Sequence, residues 1–597
     1  MSTRPQGAHV PDLLTVELED YYQIGAFERI IPSAHWGRFE RRLEQSTLRT
    51  LELLERFAIR ATFFVRGSIA ATLPDLVREI SRCGHEIASE GYHHRVVSEM
   101  SPAEFRDDLA RARDALETAS ESRVLGYRFT REWFAPVTRS ALEILAEQQY
   151  AYHSSFVPLF APFWRPAPQR LAHQLRLGER LLWEIPLSTC RVAGCLIPIA
   201  GGNYFRQSPR PVLRRLVDRW HQRHDAPFVM YFHVRELDPE QPQISAASPI
   251  GRIRHYRNLD KMHEILEDYF RTYRFGSIAA HLGLSTEPDP DASGRLGEVC
   301  SAPAPGRPAG SAVIQAASHE SDAAPRVPVT IVVPCFNEQL MIPYLANTLR
   351  GVEALLSPRY DIQFVFVDDG SRDGTWQALQ GAFGGRANAT LARHPRNVGV
   401  GGAILSGIRI AKTEIVCSMD CDCSYEPAEL GNMIPLLTDD TDMVTGSPYH
   451  PNGAVMNVPA WRLSLSRSAS FLYRRVLRQT LFTYTSCFRV YRRQAVAELV
   501  LTEGGFLGVA EMLGRLDLRG SKIVEYPATL HVRVLGKSKM KVLRTIAGHL
   551  RLLARLLIVR LRSSVQPPKE IVRGGRLVGL GVSTIPTPAT KTELGNR

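Results

Sequence analysis

At 597 residues the chain is too long to fold around one hydrophobic core, so two or more domains are expected. Its 44% hydrophobic and 22% charged residues read as an ordinary soluble globular protein, and its formal charge of +12 points to anionic partners without choosing among them. The nine cysteines are odd in number and lack a framework spacing, which excludes a disulfide scaffold and reads as reduced thiols in a cytoplasmic chain.

No uncharged apolar run is long enough to span a bilayer, and residues 1–10 hold no segment resembling a signal peptide. A first unit is expected over residues 1–285. It opens with a strand at 13–16 that runs into Glu17, Glu19 and Asp20. A helical pattern at 39–57, a strand at 61–65, a helix at 76–80 and a strand-to-loop passage from 84 to His94 follow. Repeated strand–helix alternation argues for a parallel α/β sheet or barrel with its site at the carboxyl ends of the strands.

The segments Glu17-Leu18-Glu19-Asp20-Tyr21-Tyr22, Ala61-Thr62-Phe63-Phe64-Val65, Gly84-His85-Glu86-Ile87-Ala88-Ser89, Gly126-Tyr127-Arg128 and Tyr231-Phe232-His233 carry a family likeness. With them, the unit resembles the polysaccharide deacetylases (the NodB homology domain of carbohydrate esterase family four). The resemblance implies a distorted (β/α) barrel, catalytic roles for Glu17 and His233, and Zn²⁺ or another divalent metal on Asp20, Glu90 and His94. Departures fall on the chemistry. Glu17 stands where the family has an aspartate base, Glu90 where it has a histidine ligand, Phe129-Thr130 where it has Ala-Pro, and His153 where it has an aspartate. A base displaced by about 1 Å can lose roughly a hundredfold in rate, so a degenerate or re-tasked deacetylase fold is expected.

Residues 286–328 are dominated by Pro, Ala, Gly and Ser and read as a flexible linker. A second unit follows at 329–540. Three apolar runs, 329–333, 364–367 and 415–419, each end in polar turn residues: Pro334-Cys335-Phe336-Asn337-Glu338, Asp368-Asp369-Gly370-Ser371, and Asp420-Cys421-Asp422. Between the second and third lies Asn397-Val398-Gly399-Val400-Gly401, small residues at a helix start that permit close backbone approach. Strand alternation puts Asp420 and Asp422 on one face and Met419, Cys421 and Cys423 on the other, which makes these thiols, with Cys417, core residues rather than zinc ligands. Paired carboxylates suit Mg²⁺ or Mn²⁺ bridging a diphosphate, and three strand ends bearing acids describe a nucleotide-diphosphate pocket.

With Gly446-Ser447-Pro448-Tyr449, Ser486-Cys487-Phe488-Arg489 and Arg533-Val534-Leu535-Gly536-Lys537-Ser538-Lys539, this unit is similar to inverting family-two glycosyltransferases of Rossmann-like GT-A fold. Its pattern is close to the dolichol- or polyprenyl-phosphate sugar synthases. The resemblance implies that Pro334, Asn337, Glu338, Asp368, Asp369, Asn397 and Gly399 hold the nucleotide. It places the metal on Asp420 and Asp422, and sets Arg489, Arg533 and Lys539 toward phosphates. An anionic phosphate acceptor needs no base, whereas a hydroxyl acceptor does, and Glu511 is the candidate.

Residues 541–563 form a basic amphipathic helix that suits either an anionic membrane surface or packing on the core, and 564–597 read as a disordered tail. The expectation is therefore a cytoplasmic glycosyltransferase, peripheral on the inner face of the membrane. Its partners are a nucleotide-sugar donor, a polyprenyl-phosphate or glycan acceptor and no nucleic acid. The alternatives for the first unit are an active de-N-acetylase and a non-enzymatic glycan-binding scaffold.

Overall fold

Strand β1 (Asp12–Glu17) is buried along its whole length, as befits an inner strand of a parallel α/β sheet. It pairs in parallel with β2 (Thr62–Val65), and β3 (Glu86–Ser89), β4 (Gly126–Tyr127) and β5 (Tyr152–His153) continue the ladder. An antiparallel hairpin, β6 (His173–Leu177) and β7 (Arg180–Glu184), adds to β5 through β7. A separate pair is formed by β8 (Thr189–Val192) and β9 (Cys195–Pro198). On the other side of β1 lie β10 (Val229–His233) and the short β11 (Phe275–Gly276). The sheet order β10-β1-β2-β3-β4-β5-β7-β6 is not closed by hydrogen bonds among the described residues, which is the distortion of the barrel.

This is a computed structural model that describes residues 10–93, 95–129, 138–154, 170–192, 195–287, 325–458, 460–536 and 542–563. Most of the expected linker, the tail, His94, Thr130 and Lys539 lie outside those residues. Two compact units divide the chain, the first over 10–287 and 534–536 and the second over 325–533 and 542–563. Among the described residues no helix is long and apolar enough to cross a membrane.

The second unit is built on β12 (Val327–Cys335), paired in parallel with β13 (Tyr360–Asp368) on one side and β15 (Ile415–Ser418) on the other. Outside β13 lies β14 (Ala389–Arg393), also parallel. Beyond β15 come β18 (Arg489–Arg492), antiparallel, then β16 (Met443–Ser447) and β19 (Ile523–Pro527). A small sheet joins β17 (Ala454–Met456) to β20 (Thr529–His531). The order β14-β13-β12-β15-β18-β16-β19 reverses direction between β12 and β15, and ligands of open α/β sheets bind in the crevice outside such a switch point. Pro334, which cannot donate to a ladder, falls beyond the last β12–β15 pair, Val332 with Ser418.

Helix Val400–Ile410 crosses this sheet with no room for side chains where it meets helix Phe506–Leu518. A Cβ on Gly401 would stand 2.8 Å from the Gly508 backbone, and one on Gly399, whose φ is +90°, would stand 2.5 Å from the Gly504 carbonyl carbon. Small residues here let two backbones touch. Helix Val542–Ser563 closes the unit by burying Leu552, Leu553 and Leu556 in the same core.

Candidate functional site

In the second unit the ends of β12, β13 and β15 lie side by side, Cys335 opposite Asp368 and Val332 opposite Ser418. Strand β15 stops at Ser418, so Asp420 and Asp422 sit on the following turn rather than within the strand. Their spacing survives nonetheless: Met419, Cys421 and Cys423 are buried while Asp420 and Asp422 are partly exposed. Asp422 accepts bonds at 3.0 and 2.5 Å from the Ser424 amide and hydroxyl, and its other oxygen lies 3.7 Å from the Arg533 guanidinium. Arg533 is itself engaged with Glu338. Burial, and then the charge of Asp422, pushes the Asp420 carboxyl well above the usual carboxylate range. Two hard oxygen donors whose mutual repulsion is incompletely offset are a donor set that fits Mg²⁺ or Mn²⁺.

At the ends of β12, β13 and β14 opens a cavity of ≈ 650 Å³ lined by Phe336, Asn337, Ser371, Arg372, Arg393 and Arg396, among others. Asn337 adopts φ +52° and its side-chain oxygen accepts from the Arg372 amide at 2.8 Å, fixing one wall. Asp368 accepts from the Ser371 amide at 3.0 Å and lies 3.0 Å from Arg393 Nε. Asp369 is fully committed. It receives His394 Nδ1 at 2.8 Å, Asn397 Nδ2 at 2.8 Å and the amides of Val398 and Gly399 at 2.9 and 2.7 Å. Buried carboxylates are stable only when so satisfied, and this one holds the turn that lines the cavity.

The structure therefore separates residues that the sequence groups together. Asn337, Glu338, Asp368, Asn397, Arg533, Asp420 and Asp422 gather around the ends of the central strands. Pro334 lies within β12, and Gly399 serves backbone packing. Arg489 is wholly buried, donating to the carbonyls of Val509 and Tyr484 at 2.9 and 3.0 Å, and so ties loops together rather than facing a phosphate. Glu511 is 1% exposed and accepts from the Thr502 amide and hydroxyl, the Glu503 amide and the Arg515 guanidinium. Although burial opposes its charge, these bonds hold its carboxyl below the usual range, which is the opposite of a poised base. His394, Arg372, Arg393 and Arg396 were not singled out from sequence. Their position at and just past the end of β14 and in the turn after β13 is the signal that points to them.

In the first unit Glu17 and His233 are register partners on β1 and β10 and share a face with Thr15. They line a cavity of ≈ 390 Å³. His233 Nδ1 lies 3.1 Å from Glu17 and 2.9 Å from Glu19. Burial disfavours its charge, but the two carboxylates outweigh that and raise it to about 10. Arg128 donates to Glu17 and Thr15 at 3.1 Å each and to the carbonyl of Ser154 at 2.6 Å. Glu90 lines the same cavity, and burial raises its carboxyl well above the usual range. Asp20 does not join them. Its oxygens accept from the amides of Tyr21, Arg42 and Leu43 at 2.9, 2.9 and 3.1 Å, capping helix Leu43–Arg56. Glu19 occupies the cavity in its place, as two-residue spacing from Glu17 allows. His153 is buried with both ring nitrogens unpartnered among the described residues; nothing in the structure explains it.

With both sites drawn, three family models match the chain: Polysaccharide deacetylase over residues 36–152, a domain of unknown function (DUF3473) over 154–282, and Glycosyl transferase family 2 over 330–500. The chain joins a polysaccharide deacetylase domain to a family 2 glycosyl transferase domain. The chain is 29% identical over 231 residues to the dolichol-phosphate mannosyltransferase of Pyrococcus furiosus, covering 38% of this chain and 63% of that protein. It is 29% identical over 217 residues to the polyprenol monophosphomannose synthase of Mycolicibacterium smegmatis, covering 35% of this chain and 80% of that one. The chain thus spans less than two thirds of the first of these relatives. Among solved structures, a CE4 family pseudoenzyme from Bacillus anthracis is 14% identical, covers 46% of this chain and 66% of its own, and superposes with a TM-score of 0.25.

The Glu511 geometry yields a test. Replacing Glu511 by Ala leaves Arg515 and two amides unpaired and should lower unfolding stability by about 3 kcal/mol. Sugar transfer per folded molecule by Glu511→Gln should keep the pH profile of the parent. Loss of the basic limb of that profile would instead mark Glu511 as a proton acceptor.

Proposed function

We propose that the transferase domain moves a sugar, with inversion, from a nucleoside-diphosphate donor to a polyprenyl-phosphate acceptor. The observation that carries this reading is the grouping of Asp420, Asp422 and Arg533 past the end of β15, together with an arginine-lined cavity at the ends of β12, β13 and β14. The cavity's Arg372, Arg393 and Arg396 suit an anionic nucleotide, and Asn337 and the turn held by Asp369 form its polar wall. The two relatives' names describe transfer of mannose to a polyprenol-type phosphate.

Asp420 and Asp422 would hold Mg²⁺ or Mn²⁺. When bound there, the cation supplies positive charge toward the diphosphate of the leaving group. Arg533, beside Asp422, adds a fixed guanidinium on the same side. The acceptor oxygen forms a bond to the anomeric carbon as the bond from that carbon to the diphosphate breaks, the electron pair leaving with the nucleoside diphosphate. A phosphate acceptor enters already ionised. Because Glu511 is consumed by five donors of its own domain, the site favours that acceptor over a hydroxyl that must lose a proton.

A lipid-borne acceptor also needs the domain at a membrane surface, and helix Val542–Ser563 offers the means. Packing uses Leu552, Leu553 and Leu556, while Leu550, Leu557 and Leu561 (i, i+7, i+11) form a second row that is 54%, 41% and 62% exposed. Packing and membrane docking are thus met by different arcs of one helix, with Arg551 and Arg562 beside the exposed row. The full chain should bind anionic liposomes in a salt-sensitive way, and Leu557→Glu with Leu561→Glu should abolish that binding without changing Tm. Equal binding by the double variant would refute the docking face.

The catalytic assignment is tested by replacing Asp422 with Ala and measuring transfer from nucleotide sugars to polyprenyl phosphate. Transfer should fall by about a thousandfold while the thermal melt is unchanged. Undiminished transfer would remove the paired carboxylates from the reaction.

A further inference from the structure

The resemblance of the second unit sets Glu338 among the residues that hold the nucleotide, and the geometry gives it a different task. Its neighbours Phe336 and Asn337 line the arginine-rich cavity, whereas Glu338 is not part of that wall. The Glu338 backbone is held on both sides. Its amide donates to the Thr375 hydroxyl at 2.7 Å, and its carbonyl accepts from the Met341 amide at 2.8 Å. From that fixed point past the end of β12 the side chain reaches Arg533 and forms an ion pair with it.

Two carboxylates lie against that guanidinium, and Glu338 is the one that holds it. Asp422 stands 3.7 Å from Arg533 Nε, beyond hydrogen-bond distance, while Glu338 accepts directly from Arg533 Nη2. The pair is mostly covered, its side chains 12% exposed for Glu338 and 19% for Arg533. Burial opposes the charge of Arg533, and Asp422 and Glu338 together outweigh it. A carboxylate beside a diphosphate repels it, so Glu338 can serve an anionic ligand only through a cation. Arg533 is that cation. Its planar fork carries five N–H groups, more than one carboxylate uses. Without Glu338, a long and flexible side chain would have to be ordered by the ligand itself, at a cost to affinity.

We propose that Glu338 is a positioning residue, which touches no part of the nucleotide and holds the Arg533 guanidinium beside Asp422 to meet the diphosphate. This assignment rests on the transferase reading of Asp420, Asp422 and Arg533.

Titration calorimetry on the full chain with GDP, UDP and dTDP in the presence of Mn²⁺ tests it. For a diphosphate that the parent binds, Glu338→Gln should raise Kd by about tenfold. Glu338→Asp, which keeps the charge, should raise it by no more than about threefold. In an Arg533→Ala background, Glu338→Gln should cause no further loss, because the carboxylate then has no guanidinium to place. A further loss in the double variant would mark Glu338 as a direct nucleotide contact. That result, unchanged or tighter binding by Glu338→Gln, or an equal loss in Glu338→Asp and Glu338→Gln would each overturn the assignment and leave the transferase reading in place. A parent that binds none of the three diphosphates would overturn both.

Discussion

Everything in the transferase domain depends on the parallel pairing of one nine-residue strand, β12, with β13 and β15 at once. Parallel register sets where each neighbouring strand ends, and here it brings the polar turns after Cys335, Asp368 and Ser418 to one edge. The strand can occupy that central place because Val329, Ile331, Val332 and Val333 are all fully buried, so both faces contribute apolar area. Chemistry then collects where the apolar run stops, since acids and turn residues cannot follow it inward.

The acidic residues of this chain divide by what burial demands of them. Asp20, Asp369 and Glu511 are almost inaccessible, and each is surrounded by amide, imidazole or guanidinium donors. They build turns and caps. Asp420 and Asp422 are less enclosed, and burial together with the neighbouring Asp422 raises the Asp420 carboxyl above the usual carboxylate range. Glu17 and Glu19 form a third case, in which Arg128, Arg235 and the His233 ring provide the compensation. Identical side chains thus become scaffold or stay open to a ligand according to which partner reaches them first.

Strands β1–β3 of the first unit and β12, β13 and β15 of the second, with the acids at their ends, are legible in the sequence, because apolar β-branched and aromatic runs followed by Asp, Asn and Gly carry a strong signal. The strand-alternation argument for Asp420 and Asp422 reached the observed exposure by a different route, since both lie on a turn past Ser418. What escaped was set by contacts distant in sequence. Asp20 is claimed by amides 22 and 23 residues away, Arg489 by a carbonyl 20 residues on, and Gly399 by the backbone at Gly504. Local patterns hold no record of such partners, so an acid near a motif and an acid in a site read alike. The terminal helix shows the same limit: its basic and apolar residues were evident, but only packing reveals that Leu553 is covered while Leu557 is not.

The central claim is that Asp420 and Asp422 jointly hold a divalent cation against a nucleoside diphosphate, and Mn²⁺ paramagnetic resonance on the full chain tests it most directly. In the presence of a nucleoside diphosphate, free Mn²⁺ signal should disappear with one ion bound per chain, and Asp420→Asn combined with Asp422→Asn should restore the free signal. Retention of the bound ion by the double variant would contradict the account.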